Sequence, residues 1–94
     1  MKVVYRRRAH NDLESIHDYI ARDNPTAARS VIARIMKSIG RLEGFPLSGR
    51  PGPKAGTREL SVPGLPYLAI YKVVDERDRE FVEIVAVYHT ARKR

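Results

Sequence analysis

Residues 9–44, AHNDLESIHDYIARDNPTAARSVIARIMKSIGRLEG, decide the fold. Ala9, Leu13, Ile16 and Ile20 recur at spacings of four, three and four, which sets one apolar stripe on a helix from about Ala9 to Arg22. Asp12 then falls near the first turn and Arg22 in the last, where each charge suits the helix dipole. Asp18 and Arg22, four apart, stand in the favourable order for a surface pair. Asp23-Asn24-Pro25 breaks the chain and restarts it. Asn24 can cap a second helix, and Pro25 fits its first position. The second stripe is Ala28, Val31, Ile32, Ile35, Ile39 and Leu42, ending near Glu43-Gly44 with Gly44 as C-terminal cap. So short a linker forces the two helices into an antiparallel hairpin.

Outward from the hairpin the period changes to two. Lys2 to Arg6 reads as a short strand. Gly44 to Thr57 is half Gly and Pro, which disfavours helix and ladder alike, so it reads as a loop, long for so small a domain. Arg58 to Val62 alternates as a strand, and Pro63-Gly64-Leu65-Pro66 turns. Tyr67 to Val74 is mostly apolar and reads as a central strand. Asp75 to Glu80 is polar and reads as a hairpin loop, and Phe81 to His89 as the last strand. Its buried face stays open, because Val85 and Val87 share parity with Glu83 and His89. The order β-α-α-β-β-β predicts a two-layer α+β fold, the helix hairpin packed on a mainly antiparallel sheet that the N-terminal strand can join.

The 94 residues predict one domain spanning 1–94. An apolar content of 43% is that of a folded globule rather than a disordered chain. No run approaches the roughly 18 apolar residues of a membrane span. Met1 to Arg8 lacks an apolar signal region, so the expected location is the cytoplasm. The absence of Cys excludes disulfides, Fe–S clusters and thiol catalysis. The net charge of +7 favours a polyanionic or acidic partner. Basic clusters stand at Arg6-Arg7-Arg8 and Arg92-Lys93-Arg94. On the second helix Arg34, Lys37 and Arg41 are spaced three and four on the face opposite the core, with no acid between Pro25 and Leu42. Such a face is either a solvated surface paired with Asp12, Glu14 and Asp18 or a contact for an acidic partner.

The three histidines have no metal-ligand spacing, and no phosphate-binding glycine motif or nucleophile motif occurs, so neither metal nor cofactor is expected. Tyr88, His89, Arg92, Lys93 and Arg94 gather at the end of the last strand. A His beside cations can act as general acid or base, or hold phosphate. If the strands pair as a meander, Arg58, Lys54, Tyr71 and Lys72 lie within reach. The simpler reading of His89 is a hydrogen-bonded strand-end residue, and of Tyr67 and Tyr71 ordinary packing.

Several motifs in order resemble one family. They are Ala9-x-x-Asp12-Leu13-x-x-Ile16-x-x-Tyr19-Ile20-Ala21 with Asn24-Pro25-x-Ala27-Ala28; Phe45-Pro46-x-x-Gly49-Arg50; Gly56-Thr57-Arg58-Glu59-Leu60; Pro66-Tyr67 with Tyr71; and Val87-Tyr88-His89-x-Ala91-Arg92. Together they resemble the RelE/ParE superfamily of bacterial type II toxins. The resemblance implies the β-α-α-β-β-β fold and a cognate antitoxin with a segment that folds on the toxin. It also implies one of two activities. RelE-like members cut mRNA on the ribosome; ParE-like members inhibit DNA gyrase by binding. RelE-like nucleases carry an Arg after the Tyr that opens the central strand and another near the end of the last strand. Here those positions are Leu68 and Thr90, and the Tyr often found several residues further on has no counterpart before Arg94. Losing preorganised guanidiniums removes charge stabilisation that scission relies on. The resemblance therefore implies the gyrase-directed branch. The charge clusters then give Arg92, Lys93, Arg94 and His89 as the expected target contacts and Arg34, Lys37, Arg41 and Arg58 as the expected antitoxin contacts. The alternative is a ribosome-dependent nuclease using His89, Arg58, Tyr71 and Lys54.

Overall fold

The chain leaves its first strand and enters its first helix without a linker. In the computed structural model, which describes residues 1–91, β1 runs Lys2–Tyr5 and α1 runs Arg7–Ala21. Arg6 N–H still donates to Ile84 C=O of the last strand (2.9 Å), while Arg6 C=O already accepts from His10 (3.1 Å). The helix thus starts two residues before the expected Ala9. Arg7 and Arg8 are exposed and add nothing to the apolar period, so periodicity alone could not see them. Asp12 consequently lies beyond the first turn. Asp18 meets His17 Nδ1 at 3.2 Å, and Arg22 stands over the Tyr19 ring at 5.9 Å.

Helix α2 spans Pro25–Gly40. Asn24 Oδ1 accepts from Ala27 N–H at 3.0 Å, and Pro25 opens the helix, as the sequence predicts. Its end differs from expectation. After Gly40 the chain tightens into a 3₁₀ turn, Arg41–Glu43, and Gly44 keeps a right-handed φ of −95°. A left-handed glycine cap is not needed, since Gly44 N–H and Phe45 N–H both donate to Arg41 C=O (3.2 and 3.1 Å).

Strands β2 (Arg50–Pro51), β3 (Arg58–Ser61), β4 (Tyr67–Glu76) and β5 (Arg79–His89) complete a five-stranded sheet of order β1-β5-β4-β3-β2. Only β1, beside β5, runs parallel; the other pairs are antiparallel. Two expectations are corrected. The Gly/Pro-rich loop contains β2, where Arg50 pairs with Glu59 and Pro51 with Arg58. A proline fits here because β2 is the sheet edge. The six polar residues after Val74 are mostly strand: Asp75 pairs with Glu80 and Glu76 with Arg79, leaving a tight turn at Arg77, whose φ is +42°. Polar composition reads as loop, but a two-stranded ribbon exposed on both faces is polar too.

The undecided face of β5 has a physical cause. Ile70 pairs with Ala86 but Tyr71 pairs with Ile84, so Val85 is an extra residue, a β-bulge. The bulge moves the core side from Val82 and Ile84 to Val87, which inverts parity midway. The helices cover one sheet face. Ile35, Ile39 and Leu42 pack there with Tyr71, Val82 and Ile84, all fully buried. Each aliphatic side chain so buried contributes about 1.5–3 kcal/mol.

Candidate functional site

Three places gather the polar groups singled out above. The first is a groove between α2 and the β3–β4 turn, lined by Arg34, Lys37, Ser38, Arg41, Val62 and Pro63. The helical spacing does bring the three cations together, and no carboxylate among the described residues lines the groove. Arg34 Nη2 donates to Pro63 C=O (2.9 Å). The turn closes around it: Gly64 has φ +74°, and a Cβ there would stand 2.9 Å from Arg34 Nη2. The groove can take a row of carboxylates or phosphates.

The second is a basin on the sheet face away from the helices. Arg6, Arg8, Lys54, Lys72, Glu59 and Tyr88 surround a floor that includes Ile70 and Ala86. Acids balance several of its cations. Arg6 pairs with Glu83 at 2.9 Å, Arg8 with Asp12 at 3.1 Å, and Arg50 reaches the buried Glu59 at 3.1 Å. Arg8 also lies over the Tyr88 ring (5.3 Å). Its hydrogen bond to Asp12 raises its pKa further, which keeps it charged at any physiological pH. Asp12 does more. Its Oδ2 accepts from Val87 N–H at 2.9 Å, capping the edge of β5 where β1 has already left the sheet.

The third is the junction of half-buried Arg58 and buried Tyr71, opposite one another on β3 and β4. Tyr71 OH donates to Pro46 C=O (2.8 Å) and accepts from Gly49 N–H (2.9 Å). Arg58 Nη1 donates to Gly49 C=O (2.7 Å) and reaches Leu47 C=O (3.4 Å). Both residues therefore hold the loop after the 3₁₀ turn in place.

His89 sits at the other end of β4, paired with Tyr67, with the two rings edge to face at 5.3 Å. Its Nδ1 accepts from Ala91 N–H at 3.1 Å. Four residues of strand, roughly 13 Å, separate the Tyr67–His89 pair from the Tyr71–Arg58 pair. Lys54 lines the opposite sheet face. The structure thus does not bring His89, Arg58, Tyr71 and Lys54 together. Nor does Arg58 line the groove of Arg34, Lys37 and Arg41. Arg92, Lys93 and Arg94 lie outside the described residues. Leu68 is buried, and Thr90 N–H donates to Pro66 C=O (2.8 Å).

The sequence marks Arg6-Arg7-Arg8 only as a basic cluster and Asp12 as a dipole partner. Their roles follow from a helix that starts straight off a strand, and the alternation Arg6-x-Arg8 into the helix was the available signal.

Residues 3–94 match the sequence model of a family described as the ParE toxin of the type II toxin–antitoxin system parDE. A Sinorhizobium fredii protein named "Putative toxin Y4kP" is 40% identical over 88 residues, covering 94% of this chain and 86% of its own. Toxin RelE2 of Caulobacter vibrioides is 37% identical over 91 residues, covering 97% of each chain. In fold the chain is similar to the structure titled "Chromosomal ParDE TA system from P. aeruginosa", with a TM-score of 0.82, 24% identity and 95% of each chain covered.

Proposed function

The chain belongs to the ParE toxin family of type II toxin–antitoxin systems, within the RelE/ParE superfamily, and from that premise we propose that it stops growth by binding DNA gyrase in the cytoplasm, without cutting nucleic acid. Membership implies a cognate antitoxin, and the proposal adds that a segment of it folds onto the toxin. The observation that carries the non-enzymatic reading is the fate of the polar groups that scission needs. Tyr71 and Arg58 are engaged with loop carbonyls, Leu68 and Thr90 stand where guanidiniums are expected, and His89 pairs with Tyr67, four residues or roughly 13 Å along β4 from Tyr71. General acid–base work requires its groups within hydrogen-bond reach of the reacting atoms.

Arg92, Lys93, Arg94 and His89 are the proposed target contacts. Arg34, Lys37 and Arg41 are the proposed antitoxin contacts, because an unbalanced cationic groove suits an acidic segment and speeds its capture. Arg58 acts there only indirectly, by holding its loop. The rival reading, a ribosome-dependent nuclease using His89, Arg58, Tyr71 and Lys54, draws support from the 37% identity to Toxin RelE2, although of these residues only Lys54 lines the basin of Arg6, Arg8, Lys72 and Tyr88.

A supercoiling assay with purified toxin and gyrase tests the proposal. Inhibition relieved by stoichiometric antitoxin is expected. Truncation after Ala91 should weaken inhibition about tenfold or more, with antitoxin affinity nearly unchanged. Undisturbed supercoiling at toxin excess over gyrase contradicts the proposed target. Full inhibition by the truncated chain moves the target surface elsewhere.

A further inference from the structure

Phe45 and Leu47 are the most exposed large apolar residues among those described, at 71% and 64%. Single exposed apolar side chains are ordinary. This pair is different because the backbone beneath it is fixed. Tyr71, fully buried, gives its hydroxyl to Pro46 C=O and takes Gly49 N–H; Arg58 holds Gly49 C=O. Phe45 N–H donates to Arg41 C=O, and Ser48 N–H to Phe45 C=O (both 3.1 Å). Gly49 leaves no space for adjustment, since a Cβ there would stand 2.6 Å from the Tyr71 oxygen. The loop therefore cannot fold its two side chains inward without breaking these bonds. Two large apolar groups are presented outward by a preorganised backbone, which lowers the ordering penalty of docking.

The charge around them selects the occupant. Arg41, whose carbonyl takes Phe45 N–H, and Arg58, whose guanidinium reaches Leu47 C=O, stand beside the pair, and the one exposed acid in that stretch of chain is Glu43. Arg41 also lines the cationic groove with Arg34 and Lys37, and its carbonyl anchors Phe45. Groove and apolar pair are thus joined through one residue.

We propose that Phe45 and Leu47 form an apolar anchor site continuous with the Arg34–Lys37–Arg41 groove, and that its occupant is the antitoxin segment, which lays acidic residues in the groove and covers the pair with aliphatic side chains. The proposal rests on the antitoxin reading above but not on the identity of the target. Loss of both apolar side chains should act on dissociation, as anchors buried at the centre of an interface do.

The test compares the full-length toxin with F45S/L47S. The readouts are calorimetric titration with the antitoxin encoded beside the toxin, thermal melting, sedimentation and supercoiling inhibition. Antitoxin affinity should fall at least about 30-fold, which is about 2 kcal/mol. Melting should be nearly unchanged, because both side chains are exposed. Gyrase inhibition, if the wild type shows it, should persist. Affinity within about threefold of wild type overturns the proposal. So does lost supercoiling inhibition with intact antitoxin binding, which assigns the pair to the target. A wild-type dimer that F45S/L47S converts to monomer assigns it to a second copy and also overturns the proposal. A wild type that binds its antitoxin but leaves gyrase untouched refutes the target reading alone. A wild type that does not bind the antitoxin refutes both the antitoxin reading and this site.

Discussion

Helix α2 and its 3₁₀ extension turn Ile35, Ile39 and Leu42 into the core and leave Arg34, Lys37 and Arg41 at the surface, whereas the loop that follows turns backbone groups towards the Tyr71 hydroxyl of β4 and the Arg58 guanidinium of β3 and leaves Phe45 and Leu47 outside. The two regions are adjacent in the chain and opposite in design. A helix satisfies its own backbone hydrogen bonds, so burial of apolar area decides which side chains face in. A loop does not. Where it packs against the core its carbonyls need donors and its N–H groups need acceptors, and side chains reaching from the sheet supply both. The side chains left for solvent are then whatever remains, even Phe and Leu.

If that contrast is right, substitutions in the two regions should fail for different reasons. The largest loss belongs to the helix. Ile39→Ala removes a fully buried side chain and should destabilise by about 2–5 kcal/mol in urea titration. A cost below about 1 kcal/mol would mean the helix face is not the core. Next comes the loop. Tyr71→Phe keeps the ring but strands Pro46 C=O and Gly49 N–H, and should cost about 1–3 kcal/mol. A neutral Tyr71→Phe would show that water can replace the hydroxyl, which undoes the inside-out account of the loop.

The smallest effect sharpens the contrast with a second tyrosine. Tyr5 is half-buried, and burial pushes its phenol pKa above the usual value. The folded state therefore favours the neutral phenol. The stability this lends is fully present below the unfolded pKa of about 10 and is lost as pH rises through the higher folded value. Tyr5→Phe should remove that alkaline decline and change little at neutral pH, as followed by urea titrations from neutral to alkaline pH. An unaltered alkaline slope would mean that another group titrates there.

The same contrast explains what the sequence made legible. Helix periodicity placed Ala9, Leu13, Ile16, Ile35 and Ile39 correctly in the core, because a repeating burial pattern is written in residue types. Asn24-Pro25 marked the start of α2 because the cap is local. The bulge at Val85 was hidden: an extra residue is defined by the register against β4, and no single strand encodes it. The groove was legible in outline, since three-and-four spacing alone puts Arg34, Lys37 and Arg41 on one side. Arg58, Tyr71 and Asp12 were not. Their partners are backbone groups of Gly49, Pro46 and Val87, and a carbonyl or amide leaves no mark in the residue types. Polar residues held in this way resemble catalytic candidates until their partners are placed.

The central claim, action by binding rather than cutting, meets its most direct test on mRNA-programmed ribosomes. Purified toxin, at concentrations that halt gyrase supercoiling, should leave the message full length by primer extension. Toxin-dependent cuts at codon-defined positions would contradict the account.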